Sequence, residues 1–433
     1  MKRIAKKLKP FAFLMAVVLI VAACGTGGGT AEPAPPAADP PAAPADAAEP
    51  AETEPPAETG GDPVTLTVWE SIGGPDEWIR QAGAAFTEIH PHITIEFVHV
   101  ELGDTTSQIM LDGPAGVGPD MFVAPHDRLG DLIYGGHIAP IDSGYLANIL
   151  DGSRMAVTHD GQAWGFPVSA ETYGLFYNRD LVGDNPPRSF EEVIEFSREF
   201  NAANPGSFGL VMDVGSAYYT ILFTSSEGNM LFGPDGTDTA NTRLNTPESV
   251  AGMEAMFSLR EILPVASGDL DTGMVDAIFA SGNAAMHITG PWNFRPFTDA
   301  GLDFGVTTLP SLPGNNTPAM SFSGTRVMFV SNYTRQQEET RLFGQFLISD
   351  EMQGLRYDIT GALPTVSMEL GGEFGPLATG LLGQMAFAYP MPSIPQMGLF
   401  WDIMGAASSN IWDGDGTNIQ SELDAANAAI LGG

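Results

Sequence analysis

Two rhythms of apolar residues alternate along positions 64–360. The β-branched run Val64-Thr65-Leu66-Thr67-Val68-Trp69 reads as a strand. After a Gly-Gly-Pro turn, residues 76–90 carry Trp78, Ile79, Ala82, Phe86 and Ile89 on one stripe at helical spacing, and Pro91 is the stop. A strand over 93–100, a short helix over 108–111, a strand over 119–124 and a helix over 127–134 follow. This β-α-β-α-β-α order predicts a mostly parallel sheet with helices on both faces. The pattern resumes with a strand over 174–177, a capping box Ser189-Phe190-Glu191-Glu192 opening a helix to 200, and a strand over 208–212. Helical spacing recurs at 247–263, 274–280, 334–347 and 351–359, interleaved with strands at 285–289, 304–309 and 326–330. Two α/β lobes joined by crossing strands account for this order, and a cleft between lobes is where such sheets bind ligands.

The N-terminus departs from both rhythms. Lys2, Arg3, Lys6, Lys7 and Lys9 precede an apolar run over 11–23, shorter than the about 20 residues of a membrane-spanning helix, so residues 1–24 read as an export signal. The signal ends in Val21-Ala22-Ala23-Cys24-Gly25, which resembles the lipobox of bacterial lipoproteins, and Cys24 is the chain's single cysteine. Cys24 is therefore the expected lipid attachment point on the outer face of the cell membrane, and no internal disulfide is possible. Residues 25–62 are Gly, Ala, Pro, Glu and Asp apart from four Thr, with almost nothing apolar larger than Ala, so they are expected to form a disordered acidic tether. Beyond the tether, 13 arginines and no lysine face 45 carboxylates, a formal net of −32. That balance excludes a nucleic-acid partner, whose binding rests on neutralised phosphates.

Candidate chemistry sits in segments that read as loops after strands. A sugar offers rows of hydroxyls and flat C–H faces, so its site needs carboxylates, guanidiniums and aromatic platforms. The segment 118–128 sets Asp127 beside Arg128, and 165–181 puts Glu171 at a crossing strand. The segment 282–292 ends a strand in Gly290-Pro291-Trp292, and 391–401 runs from Met391 to Phe400-Trp401. Each feature alone has a plainer reading. Asp127-Arg128 is a helix start with a solvated ion pair, Trp292 and Trp401 are core, and Tyr218-Tyr219 is packing.

Taken in order, these segments resemble the periplasmic maltose/maltodextrin-binding proteins of ABC importers over nearly all of 64–431. The resemblance implies a type II periplasmic-binding-protein fold. It places an N-terminal lobe at 63–171 with 326–371 and a C-terminal lobe at 172–325 with 372–433, around a ligand cleft with crossing hinge segments. It implies capture of a maltodextrin-type oligosaccharide by a monomer and delivery to the permease subunits of an ABC importer. It further implies that Asp127, Arg128 and Glu171 hydrogen-bond sugar hydroxyls, that Tyr218, Trp292 and Trp401 supply aromatic faces, and that Met391 touches the ligand. Four positions depart from the family pattern: Ala124 stands for a stacking Trp, Gly73-Gly74 for an Asp-Lys pair, Ser216 for a Glu and Gly405 for an Arg.

Other functions leave weaker traces. A glycoside hydrolase would use Asp127 and Glu171 as paired carboxylates, about 5 to 9.5 Å apart, and a ferric-ion site would use Tyr218-Tyr219 without an accompanying His/carboxylate set. No Walker-type loop, zinc spacing or Ser-His-Asp order is present. The chain is read as a non-enzymatic binding protein without cofactor or metal.

Overall fold

The structure, a computed structural model, describes residues 62–432; the export signal, Cys24 and all of the tether except Asp62 lie outside them. The strands are β1 (Val64–Glu70), β2 (Ile93–His99), β3 (Met121–Pro125), a small hairpin of β4 (Thr158–His159) and β5 (Gln162–Ala163), β6 (Gly165–Glu171), β7 (Gly174–Asn178), β8 (Phe208–Val211), β9 (Ala284–Thr289), β10 (Phe304–Thr307), β11 (Ser321–Val330) and β12 (Ala388–Pro390). One sheet runs β12-β11-β3-β1-β2 with β6 also on β11, and a second runs β10-β7-β9-β8.

Both sheets are mixed: the parallel order expected from the first β-α-β-α-β-α run holds for β1, β2 and β3, and antiparallel pairs enter with the later strands. β1 pairs in parallel with β2 and β3, but β11 is antiparallel to β3 and β6. β7 is antiparallel to both β9 and β10. The physical reason is that β6, β7 and β11 are not joined by βαβ units to the strands they lie antiparallel to, so no right-handed crossover forces them parallel.

Each sheet has its own apolar core. One holds Leu66, Val68, Phe86, Phe122, Phe166 and Phe329; the other holds Phe176, Leu210, Met286, Phe304, Phe400 and Trp412. The helix Asp350–Thr360 stands at their junction, with Met352 in the first core and Tyr357 in the second.

The helix Pro75–Ile89 buries Trp78, Ile79, Ala82 and Phe86, whereas Ile89, expected on the same stripe, is 60% exposed in its last turn. The expected helix over 108–111 extends across Thr105–Ala115, and Pro114 in its last turn costs the ladder one bond, to the Met110 carbonyl, just before the helix ends. Ser189 caps the helix Phe190–Ala203 by accepting from the Glu192 N–H, while the Glu192 carboxylate accepts from Arg188 N–H, one residue earlier than a reciprocal box would have it. β11 starts five residues before the run expected at 326–330. Its first part pairs with β12 and its second with β3 and β6, so a single strand passes from one core to the other.

Candidate ligand cleft

β3 delivers the first wall of the cleft. Its last residue, Pro125, leads into the short turn His126–Arg128, and there the Asp127 side chain is buried. Asp127 Oδ2 accepts from Trp401 Nε1 at 3.1 Å and lies 3.6 Å from Arg128 Nε, while Oδ1 has no partner. His126 ties three segments together: its Nδ1 accepts from the Thr325 N–H at 3.1 Å, so its Nε2 carries the proton and donates to the Met391 carbonyl at 3.1 Å. Burial pushes the His126 pKa down, with Asp127 and the Met391 carbonyl opposing, which agrees with the neutral tautomer that these partners require.

The second wall is aromatic. Trp292 follows β9 in the turn Pro291–Asn293, and its ring folds back over Gly290, where an added Cβ would meet the indole at 2.2 Å. A side chain at 290 would therefore displace the ring. Tyr218, in the first turn of the helix Ala217–Thr224, touches both indoles, with centroid distances of 6.1 Å to Trp292 and 6.4 Å to Trp401. Trp401 lies inside the helix Gln396–Asp413 and not in a loop after a strand; Met391 directly follows β12. Burial raises the Tyr218 and Tyr219 phenols well above their ordinary range.

The floor comes from the crossing strands. Glu171 ends β6, where its Oε1 accepts from Ser169 Oγ at 3.1 Å and stands 3.4 Å from Arg326 Nε. Burial works against the Arg326 cation, but Glu171 and Glu70 outweigh it and raise its pKa.

All seven residues expected at the site, Asp127, Arg128, Glu171, Tyr218, Trp292, Met391 and Trp401, line one cavity of about 520 Å³. A second cavity of about 230 Å³ shares Leu102, Gly103, Glu171, Trp292 and Arg326 with it and continues toward Gly73 and Arg356. Ser216 and Gly73 thus sit on the cleft. Ala124 and Gly405 do not: Ala124 is fully buried in the first core, and Gly405 packs where an added Cβ would lie 2.9 Å from the Gly215 carbonyl.

Sequence reasoning missed Arg326, Glu70 and Arg356. The signal was there, since a lone Arg in Gly324-Thr325-Arg326-Val327-Met328-Phe329 is a charge inside an apolar strand, which needs a partner. Among the described residues, no group of three or more His, Cys, Asp or Glu side chains is arranged to hold a metal ion.

This fold and cleft are those of a protein that captures a solute between two α/β units, and the chain belongs to the bacterial extracellular solute-binding proteins, whose family pattern matches residues 70–354. These are binding proteins and not enzymes. Among relatives, the chain is 27% identical over 376 residues to the galactooligosaccharide-binding protein of Bacillus subtilis, covering 84% of this chain and 88% of that one. It is 29% identical over 305 residues to the maltooligosaccharide ABC transporter solute-binding lipoprotein of Streptococcus pneumoniae, covering 68% and 72% respectively. The crystal structure of a cyclo/maltodextrin-binding protein complexed with maltotetraose superposes with a TM-score of 0.72 at 29% identity, over 87% of this chain and 98% of that one.

Proposed function

We propose that this protein captures a linear or cyclic α-glucan of several units in the cleft and delivers it to the permease of an ABC importer, anchored outside the cell by lipid on Cys24. The observation that carries the reading is the division of the cleft into two unlike walls. Three aromatic rings, the two indoles of Trp292 and Trp401 bridged by Tyr218, face a carboxylate and guanidinium set, the combination that a sugar's C–H faces and hydroxyls demand. In this reading 63–171 with 326–371 and 172–325 with 372–433 are lobes that close on the ligand. Asp127, Arg128 and Glu171 bind hydroxyls, Tyr218, Trp292 and Trp401 stack, and Met391 packs against the sugar.

A longer ligand is favoured because the two cavities adjoin at Glu171 and Trp292. A disaccharide leaves one of them unused, and has fewer contacts to offset the loss of rotational and translational freedom. A galacto-oligosaccharide is the second reading, motivated by the Bacillus subtilis relative. Calorimetry with maltose, maltotriose, maltotetraose, a cyclodextrin and a galacto-oligosaccharide series decides between them. Affinity that rises with α-glucan length supports the proposal. Tightest binding to maltose, or to the galacto series alone, rejects it.

A further inference from the structure

A cluster of buried charge forms part of the cleft floor, with Arg326 lining both cavities and Arg356 the smaller one, and includes three residues outside the set assigned above. Glu70 closes β1 fully buried, and its Oε1 accepts from Ser71 N–H at 2.8 Å and from Arg326 Nη1 at 3.1 Å. Arg356 Nη1 stands 3.6 Å from Glu70 Oε2, and its guanidinium lies over the Trp78 ring, 4.4 Å from the centroid. Arg326 then reaches from Glu70 to Glu171. Two carboxylates and two guanidiniums thus form a chain that ends at the cavity.

Buried ion pairs are poor sources of stability compared with apolar residues of similar size. The geometry supplies another role for this one. Arg326 faces Ser169 across the ladder and Glu171 faces Gly324, so Arg326 and Glu171 are diagonal neighbours on adjacent strands. The register shifts between Arg326 and Val327, an irregularity of the kind that re-aims a side chain beside a site. Both Ser169 Oγ and Arg326 Nε converge on the same Glu171 oxygen, Oε1. The other oxygen, Oε2, takes part in neither contact.

We propose that Arg326 is a positioning residue: braced from behind by Glu70 and Arg356, it pins Glu171 through Oε1 so that Oε2 is presented to a ligand hydroxyl. The proposal rests on the reading of Glu171 as a sugar-binding residue. Because Arg326 belongs to the strand that passes between the two cores, the same side chain fixes the orientation of Glu171 relative to both. A rigid planar guanidinium can span two carboxylates at once, whereas an ammonium is a single point charge and satisfies one.

The test is a double-mutant cycle read by calorimetry with maltotetraose, using Arg326→Lys, Glu171→Gln and the double variant, with melting curves to show that each is folded. Arg326→Lys keeps the positive charge beside Glu70, so a merely structural role is preserved. It is expected to weaken binding about tenfold, or about 1.4 kcal/mol, in the native background and by less than about twofold in the Glu171→Gln background. An equal loss in both backgrounds, or no loss in either, overturns the proposal. If the unaltered protein binds neither α-glucan nor galacto-oligosaccharide, the sugar reading fails, and the positioning role is then judged on a ligand-free crystal structure of Arg326→Lys. A displaced Glu171 carboxylate supports it, and one held in its present rotamer overturns it.

Discussion

At the scale of single residues, the side chains proposed to touch the ligand differ from the groups that hold the walls. Glu171→Ala and Arg128→Ala are each expected to weaken sugar binding by about 1.5 to 3 kcal/mol, the range for charge-assisted hydrogen bonds, with the fold retained. Normal affinity in both variants would sink the assignment of these side chains. His126 belongs to the walls and carries a pH dependence. Its pKa is lowered from 6.5, first by burial. A histidine whose folded-state pKa lies below the unfolded value contributes its stability above about pH 6.5, and that contribution is lost as pH falls toward the folded value. The melting temperature is therefore expected to drop between pH 7.5 and pH 5.5, and His126→Gln is expected to flatten the drop. Some slope remains, because burial lowers the His137 pKa as well. Equal slopes in the two proteins would show that His126 is not the titrating group.

At the scale of elements, close backbone approaches decide what propensity alone would not. Gly252 lies inside the helix Pro247–Ser258, where replacing Gly by Ala ordinarily stabilises by about 1 kcal/mol. Here an added Cβ would lie 1.5 Å from the Phe223 carbonyl of the helix Ala217–Thr224, so the two helices pack through the missing side chain. Gly252→Ala is expected to destabilise by about 1 to 3 kcal/mol through this overpacking, measured by urea unfolding; a stabilised variant would mean that the helices pack less closely. The same contrast explains what could be read from sequence. The strands β1, β2, β7 and β9 were legible because β-branched or buried runs end at turn residues. The helix Gln396–Asp413 was missed although Met397, Phe400, Met404, Ala407 and Ile411 recur on one buried face. Two glycines and the run Ser408-Ser409-Asn410 give it poor intrinsic propensity, so packing on the second core makes it a helix. The site residues were legible only in combination, through their order along the chain. Arg326 carried a signal as a charge in an apolar strand, but its partners Glu70 and Arg356 did not, because they meet it only where β1, β11 and the helix Asp350–Thr360 come together. Ala124 and Gly405 misled for the related reason that a small residue says nothing of which way its position faces.

At the scale of the whole molecule, the question is what the crossing segments permit. Cys24→Ser is expected to release the protein from the membrane fraction or to stall its processing; unchanged association would remove the lipid anchor. Within residues 62–432 the chain passes between the two cores at 169–172 and along β11, and again between Val366, in the first core, and Phe374, in the second. Across the cleft mouth few side-chain bonds bind one side to the other. Trp401 Nε1 donates to Asp127 Oδ2, His126 Nε2 donates to the Met391 carbonyl, and away from the mouth Arg295 donates to the Asp358 and Ile359 carbonyls. Each is worth roughly 0.5 to 3 kcal/mol net, too little to lock the two halves against a motion that stays within the crossing strands. A ligand bridging Asp127 and Glu171 on one side and Trp292 on the other gains contacts only when both walls are near, so it binds the closed arrangement more tightly and shifts the population toward it. Small-angle scattering is therefore expected to give a smaller radius of gyration with saturating maltotetraose than without it. Trp401→Phe, which removes the cross-cleft bond and keeps the ring, is expected to widen that difference by opening the free form. Identical curves with and without ligand, in both proteins, would show that the halves do not move.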